Sequence, residues 1–153
     1  MINAELVNRE QIQVRIENLP NEVKPQLVEK LRGVLTKLKN LVQDKLSNKV
    51  LNVRSGNLKS SIATGFEDND GVITGLVISK QSSLRKSYHY GAYHEYGGVV
   101  NVKSHIRKNA RTGIEHIVGA HTRNVPERSF MRSSLAEMER EIVEEIKKAV
   151  DIK

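Results

Sequence analysis

Histidine is the residue type whose number and clustering first suggest chemistry in this chain. The five histidines all fall in the middle of the sequence, at His89, His94, His105, His116 and His121. A helical zinc-hydrolase motif needs two histidines four residues apart, with a glutamate beside the first. His89 and His94 are five apart, so on a strand they face opposite sides, although Glu95 adjoins one of them. We expect histidines that are solvated or packed, no metal and no other cofactor, with a metal-dependent hydrolase as the disfavoured alternative.

Other catalytic devices find little support in the sequence. There is no cysteine, which excludes a thiol nucleophile, a thiolate metal site and a disulfide framework. The serines form no Gly-x-Ser-x-Gly elbow, and neither common glycine-rich phosphate loop is present. The carboxylates of Glu67, Asp68 and Asp70 lie in a predicted turn, where we expect them to be solvated. The sequence therefore predicts no catalytic residue and a protein that is not an enzyme.

A basic middle segment is the strongest functional signal from composition. The formal net charge is +7, and residues 80–126 carry eight basic against two acidic side chains. Such an excess attracts nucleic acid or an acidic protein surface, although a solvated hairpin with ordinary surface charge is the simpler interpretation. An aromatic content of 4% disfavours a base-stacking platform. The candidate residues for contact with a partner or DNA are Lys103, Arg107, Lys108, Arg111 and Arg123.

The elements that position these residues follow from the hydrophobic period. Residues 11–17 alternate as a half-buried strand does, and from residue 21 to about residue 49 apolar residues recur every three or four positions, as in an amphipathic helix. Residues 60–66 and 72–78 flank an Asp-Gly pair, which is a strong hairpin signal. A third strand is predicted from residue 87 to residue 94.

The rest of the chain predicts a polar hairpin and a closing helix. Residues 99–107 and 114–123 surround a polar turn at residues 109–113, and helical spacing resumes at Phe130, with Ser129 as its expected N-cap. We expect one α+β domain over residues 1–153. In it, an antiparallel sheet of about four to five strands packs against a long N-terminal helix and a C-terminal helix on one face, and the polar β-hairpin of residues 99–123 projects as an insertion. No segment has the apolar length of a membrane span or the pattern of a signal peptide.

Four short motifs then occur in a fixed order along the chain. They are residues 54–62 (RSGNLKSSI), 93–97 (YHEYG), 119–123 (GAHTR) and 125–132 (VPERSFMR). Preceded by a strand and a long helix, this order resembles the tailed-phage tail-completion or neck proteins, also described as phage virion morphogenesis proteins. The resemblance covers roughly residues 12–150. Ser129 departs from it, because proline is common at that position in the family.

The junctions within these motifs have predicted structural roles. Gly56 is expected to form a left-handed cap at the end of the long helix, and Leu58 and Ile62 are expected to anchor the next strand in the core. Glu95, at the end of the predicted third strand, is expected to accept backbone or arginine hydrogen bonds that fix the turn at residues 97–98. Phe130 and Met131 are expected to dock the final helix onto the sheet.

The resemblance implies a structural protein of a bacteriophage or prophage virion, acting in tail completion and head–tail joining. It also implies a homo-oligomeric ring whose partners are neighbouring neck and tail proteins, made in the cytoplasm of the host bacterium and located in the virion. Closed rings use heterologous contacts, and the polar hairpin is the predicted projecting element, facing either packaged DNA or an acidic neighbour. Membrane contact is not expected. A basic nucleic-acid-binding module is the alternative function.

Overall fold

A computed structural model describes residues 2–8, 11–17, 22–49, 56–80 and 90–150. The strands in these ranges are β1 (Ile2–Asn8), β2 (Gln11–Ile16), β3 (Ile62–Asn69), β4 (Val72–Ser79), β5 (Gly98–Val102), β6 (His105–Lys108), β7 (Glu115–Val118) and β8 (His121–Val125). The helices are α1 (Lys24–Asp44), α2 (Asn57–Ser61), α3 (Tyr90–Tyr96) and α4 (Phe130–Val150), and a π-helical segment, Lys45–Lys49, continues α1.

The main sheet has four antiparallel strands in the order β1-β2-β4-β3. Its central pair places Ile12 opposite Val77 and Ile16 opposite Ile73, so these side chains share one face of the sheet. All four are buried. They form a single core with the apolar stripes of α1 and α4. The predicted fold class is therefore confirmed, because antiparallel strands carry a long N-terminal and a C-terminal helix.

Helix α1 owes its position to the three- and four-residue spacing of its apolar side chains. Those that it buries are Leu27, Leu31, Val34, Leu35, Leu38 and Val42. Proline is tolerated in the first turn because no intrahelical hydrogen bond is lost there, and Pro25 lies at that place. The predicted helix ran from residue 21 to about residue 49. In the structure the α-helical part ends at Asp44, and the π-helical segment follows it.

Ion pairs join α1 and its π-helical continuation to α4. Lys37 Nζ lies 2.7 Å from a carboxylate oxygen of Glu141, and Lys45 Nζ lies 2.6 Å from one of Glu137. The hydrogen bond to Glu141 raises the pKa of Lys37 above its ordinary value. No helix of the described ranges has the length and apolar character needed to cross a bilayer.

The Asp-Gly hairpin was predicted correctly, although its first strand starts later than expected. Asp70 and Gly71 both have positive φ, 47° and 80°, as a two-residue type I′ turn requires. Ser60 and Ser61 belong to α2 and not to the strand, which begins at Ile62. Ile62 is buried, and Leu58 packs against the core, so both anchor this junction as the sequence predicted.

The predicted strand at residues 87–94 is wrong where the structure describes it. Residues 90–96 form α3, and residues 87–89 lie outside the described ranges. Tyrosine favours strands, but this preference depends on context, and burial overrides it here. The buried positions are Gly91, Ala92, His94 and Glu95, a three- and four-residue spacing that places them on one side of a helix. A strand would have sent His94 and Glu95 to opposite faces.

Candidate partner interface

The polar hairpin of the sequence exists as a two-stranded ribbon, hereafter the ribbon, spanning residues 98–125. Its inner ladder pairs β5 with β8, from Gly98 opposite Val125 to Val102 opposite His121. Its outer ladder pairs β6 with β7. Residues 103–104 and 119–120 interrupt the strands between the two ladders. The predicted insertion at residues 99–123 is thus found with bounds that differ by one residue at its start and two at its end.

The tip of the ribbon is closed by the side chain of Asn109. Its Oδ1 accepts hydrogen bonds from the backbone N–H of Arg111 at 2.9 Å and of Thr112 at 3.3 Å. The backbone carbonyl of Asn109 accepts from the N–H of Gly113, and its N–H donates to the carbonyl of Ile114, both at 2.9 Å. An asparagine side chain that mimics a backbone turn in this way defines the loop conformation. Arg111 is therefore presented at the tip by a hydrogen-bonded turn.

The outer ladder has two chemically different faces. Residues directly opposite each other in an antiparallel pair point to the same side. Ile106 lies opposite Ile117, and these side chains are 65% and 77% exposed. Alternation along the strands adds Lys108 and Glu115, another opposed pair, to the same face. We call this side, with Ile106, Lys108, Glu115 and Ile117, the apolar face.

The opposite side of the outer ladder carries mainly basic and imidazole groups. Arg107 lies opposite His116, and His105 lies opposite Val118. All of these except Val118 are exposed. Because Arg107 and Lys108 are consecutive in a strand, they point to opposite sides of the ribbon. The cations that look like one cluster in the sequence are therefore divided between the two faces.

The five candidate contact residues all lie on the ribbon, and all are exposed. Arg107 and Lys108 are in β6, and Arg123 is in β8 opposite Val100. Lys103 stands at the interruption between the ladders, and Arg111 at the tip. The structure therefore spreads these cations along the ribbon and does not gather them into one pocket. With one glutamate, Glu115, the ribbon has a formal net charge of +4.

The base of the ribbon is fixed by the buried carboxylate of Glu95, which is 0% exposed. Glu95 Oε2 accepts a hydrogen bond from the backbone N–H of Met131 at 2.8 Å, and Oε1 accepts one from the N–H of Arg132 at 2.9 Å. These N–H groups belong to the first turn of α4, where no intrahelical acceptor exists. A carboxylate at a helix N-terminus is also favoured by the helix dipole. Glu95 lies in α3, before the ribbon, and thus caps the N-terminus of α4, which follows the ribbon in the sequence.

The Arg132 side chain completes this arrangement, which we call the clamp (Glu95, Glu127 and Arg132). Its Nε donates to Glu95 Oε1 at 3.2 Å, and its terminal nitrogen donates to Glu127 and to the Glu95 backbone carbonyl. The guanidinium carbon lies 4.7 Å from the centre of the Tyr96 ring, within the range of a cation–π contact. Partial burial alone would lower the pKa of Arg132, but its hydrogen bonds to Glu127 and Glu95 bring the net pKa above the ordinary value.

The clamp corrects the predicted N-cap of the last helix. Ser129 precedes α4, but its φ is +46°, whereas an N-cap residue has extended backbone angles. The N–H groups that a serine cap would satisfy are already bonded to Glu95. A proline, whose φ is fixed near −65°, cannot adopt this conformation. Phe130 and Met131, 1% and 0% exposed, dock α4 into the core as predicted.

The predicted role of Glu95 was correct in its chemistry and wrong in its setting. The sequence placed it at a strand end, accepting backbone or arginine hydrogen bonds that fix the turn at residues 97–98. It accepts both kinds of bond, but from α3 and toward α4. Gly97, with φ +71°, connects α3 to the ribbon, and a Cβ added there would lie 2.9 Å from the backbone nitrogen of Glu127. The motifs of residues 93–97 and 125–132, far apart in the sequence, are therefore in direct contact.

Histidine does not assemble a metal site in the described ranges. No group of three or more His, Cys, Asp or Glu there could hold a metal ion. His105 Nδ1 lies 3.0 Å from the backbone carbonyl oxygen of Lys103. His121 Nδ1 lies 2.9 Å from the backbone carbonyl oxygen of Gly119. His89 lies outside the described residues. His94 is buried, and burial, followed by the nearby charges of Arg128 and Arg123, lowers its pKa. A neutral imidazole at this position belongs to the packing beneath the ribbon.

The motif of residues 54–62 is described only from Gly56 onward. Gly56 has φ +70° and immediately precedes α2, so it is left-handed as predicted. The prediction placed it as a cap at the end of the long helix, and the intervening residues 50–55 lie outside the described ranges. No protein-family model, curated protein or solved structure matches the chain.

Proposed function

We propose that this protein is a structural subunit of a tailed-phage or prophage virion, acting in tail completion and head–tail joining at the neck. The subunit forms a homo-oligomeric ring, contacts neighbouring neck and tail proteins and carries out no catalysis. It is made in the host bacterial cytoplasm and is incorporated into the particle. The order of the four sequence motifs supports this proposal.

The ribbon is the structural observation that carries it. An isolated two-stranded hairpin is marginally stable in water, yet this ribbon exposes Ile106 and Ile117 as well as its cations. Its base is held by the clamp, so the body of the protein presents it in a defined position. A projecting element of this kind suits docking to another subunit, because docking buries the isoleucines and neutralises the charges.

The buried carboxylate of the clamp also favours a structural role. Glu95 is the buried acidic side chain of the described ranges, and both of its oxygens accept hydrogen bonds from the first turn of α4. A carboxylate engaged in this way stabilises the ribbon base. The motif that contains Glu95 therefore has a structural explanation that requires no catalytic reaction.

Reversal of the ribbon charge tests the proposal. The variant Arg107→Glu/Lys108→Glu/Arg111→Glu is expected to abolish head–tail joining, scored by electron microscopy of lysates as separate heads and tails. Its thermal unfolding should match that of the wild type, because all three side chains are exposed. The matched control reverses Arg15, Lys30 and Lys80, which are exposed cations outside the ribbon. An unaltered yield of joined particles from the ribbon variant would contradict the proposal.

A basic nucleic-acid-binding module is the second candidate, favoured by the face that carries Arg107 and by Arg111 at the tip. Binding through phosphate contacts weakens with salt, with a slope of log K against log salt of about −0.9 per contact on duplex DNA. Because the cations are divided between two faces, a duplex on the Arg107 face would engage fewer than all of them, and the slope would be shallower than roughly −4.5. Fluorescence anisotropy with a duplex across a salt series measures this slope, and the triple reversal should remove the binding.

A further inference from the structure

The outward side of α4 carries a shallow groove of about 450 Å³. It is lined by Ala136, Glu139, Arg140, Val143, Glu144 and Lys147. Three acidic side chains of α4 are already engaged, since Glu141 and Glu145 pair with lysines of α1, and Glu137 pairs with Lys45 of the π-helical segment. The groove differs, because none of its four charged groups forms a salt bridge within the described ranges.

The ribbon and this groove have matching chemistry. The apolar face offers two exposed isoleucines flanked by one cation, Lys108, and one carboxylate, Glu115. The groove offers small apolar side chains, Ala136 and Val143, between two carboxylates and two cations. Both surfaces also carry opposite charges that can pair, since Lys108 can meet Glu139 or Glu144, and Glu115 can meet Arg140 or Lys147.

We propose that the apolar face of the ribbon docks into the α4 groove of a second copy of this chain. The inference rests on the ring-forming role proposed above and names the surfaces that form the ring. Ribbon and groove are different patches, so the contact is heterologous: each subunit gives its ribbon to one neighbour and its groove to the other. Repetition of such a contact closes a ring when the rotation between subunits permits it.

This docking assigns separate tasks to the two faces of the ribbon. The isoleucines and Lys108 become buried between subunits. Arg107 and His116, on the opposite side of the outer ladder, remain outside that contact. Burial of apolar side chains against another protein is favourable in free energy, whereas DNA phosphates provide no apolar surface against which they could be buried. The basic face is therefore the part of the ribbon left for a third partner.

Disulfide trapping between two single-cysteine variants tests the contact. The chain has no cysteine of its own, so every disulfide formed comes from the introduced residues. Purified Ile117→Cys and Ala136→Cys proteins are mixed and oxidised gently, and dimers are quantified on non-reducing gels and identified by mass spectrometry. A disulfide requires the two Cβ atoms to approach within about 4.5 Å, and separate chains exclude an intramolecular bond.

We expect the 117–136 disulfide to form several-fold more than the background set by a mixture of Ile117→Cys and Thr64→Cys. Thr64 is exposed on β3, an edge strand of the main sheet that does not line the groove. A yield equal to that background overturns the docking, and so does a predominance of the 117–117 disulfide, which would mean contact between two ribbons. Either result leaves the virion role standing, because that role is scored separately by particle joining.

Discussion

Glu95 Oε1 receives two hydrogen bonds from a single residue, Arg132, one from its backbone N–H at 2.9 Å and one from its side-chain Nε at 3.2 Å. One carboxylate oxygen thereby fixes both the start of α4 and the side chain that reaches back over α3. The ribbon leaves the body between these two helices. The position of the ribbon therefore depends on this pair.

Glu95→Gln is expected to destabilise the protein strongly. The amide can accept through one oxygen only, so an N–H of the first turn of α4 is left unsatisfied, and the Arg132 guanidinium keeps only one of its two carboxylate partners, Glu127. Removal of one partner of a buried ion pair costs about 3–5 kcal/mol, and we expect about 3 kcal/mol in the free energy of unfolding, because Arg132 is partly exposed. Urea denaturation measures the loss.

Glu127→Gln is the matched control for that variant. Glu127 contacts the same guanidinium, but its side chain is 54% exposed, and an exposed ion pair contributes below about 1 kcal/mol. Equal losses for the two variants would contradict the role assigned to the cap.

Gly97→Ala tests the contact between α3 and the segment after the ribbon. Alanine at a positive φ costs about 1–2 kcal/mol, and the new Cβ would also meet the Glu127 backbone nitrogen at 2.9 Å. Gly71→Ala is the control, since Gly71 has φ +80° with nothing within 4 Å of its added Cβ. We expect the midpoint of urea denaturation to fall clearly further for Gly97→Ala than for Gly71→Ala. Equal shifts would mean that the backbone contact is unimportant.

His94 makes stability dependent on pH in a defined direction. Its pKa is lowered in the folded state by burial and by Arg128 and Arg123, whereas the unfolded chain takes up the proton near pH 6.5. The unfolded state therefore binds more protons between the lowered pKa and about 6.5, and the free energy of unfolding falls as the pH falls through that window.

Substitution of His94 isolates this effect. His94→Gln is expected to lose less stability than the wild type between pH 7 and pH 5, measured by urea denaturation at each pH relative to its own value at pH 7. His121→Gln, which alters an exposed ribbon histidine, should keep the wild-type dependence. A His94→Gln profile parallel to that of the wild type would refute the assignment.

Lys37 of α1 and Lys45 of the π-helical segment both pair with α4, but they should differ in their contribution to stability. Lys45 has 13% of its side chain exposed and also donates to Ser133 Oγ at 2.9 Å, whereas the side chain of Lys37 is 57% exposed. Water and salt weaken an exposed ion pair more than a shielded one. Lys45→Ala should therefore lower the melting temperature more than Lys37→Ala. In high salt, the difference in melting temperature from the wild type should shrink for Lys37→Ala but not for Lys45→Ala.

Much of the fold could be predicted because hydrophobic period reports secondary structure directly. The alternation of β2, the stripe of α1 and the Asp-Gly turn all appear in the structure, as does the polar hairpin. β1 was not predicted, because residues 9–10, Arg-Glu, carry no turn signal between it and β2. α3 was assigned as a strand because its local preference is weak, and the burial of Glu95 that decides its conformation depends on Met131 and Arg132, far along the chain.

The candidate interface was predictable in its location but not in its arrangement. Composition identified the ribbon and its five cations. Their division between two faces depends on the register that places Ile106 opposite Ile117, and a sequence without a fixed register cannot supply it. The exposed isoleucines were overlooked for the same reason.

The first and last residues of the ribbon lie side by side, because Gly98 is directly opposite Val125 in the ladder. Its two ends are therefore about 5 Å apart, a gap that a short graft can bridge. Insertions, deletions or a wholly different hairpin can occupy this site while the helices and the four-stranded sheet stay as they are. In the virion role proposed above, specificity for a neighbouring subunit can thus evolve in the ribbon without a change in the helices and sheet that carry it.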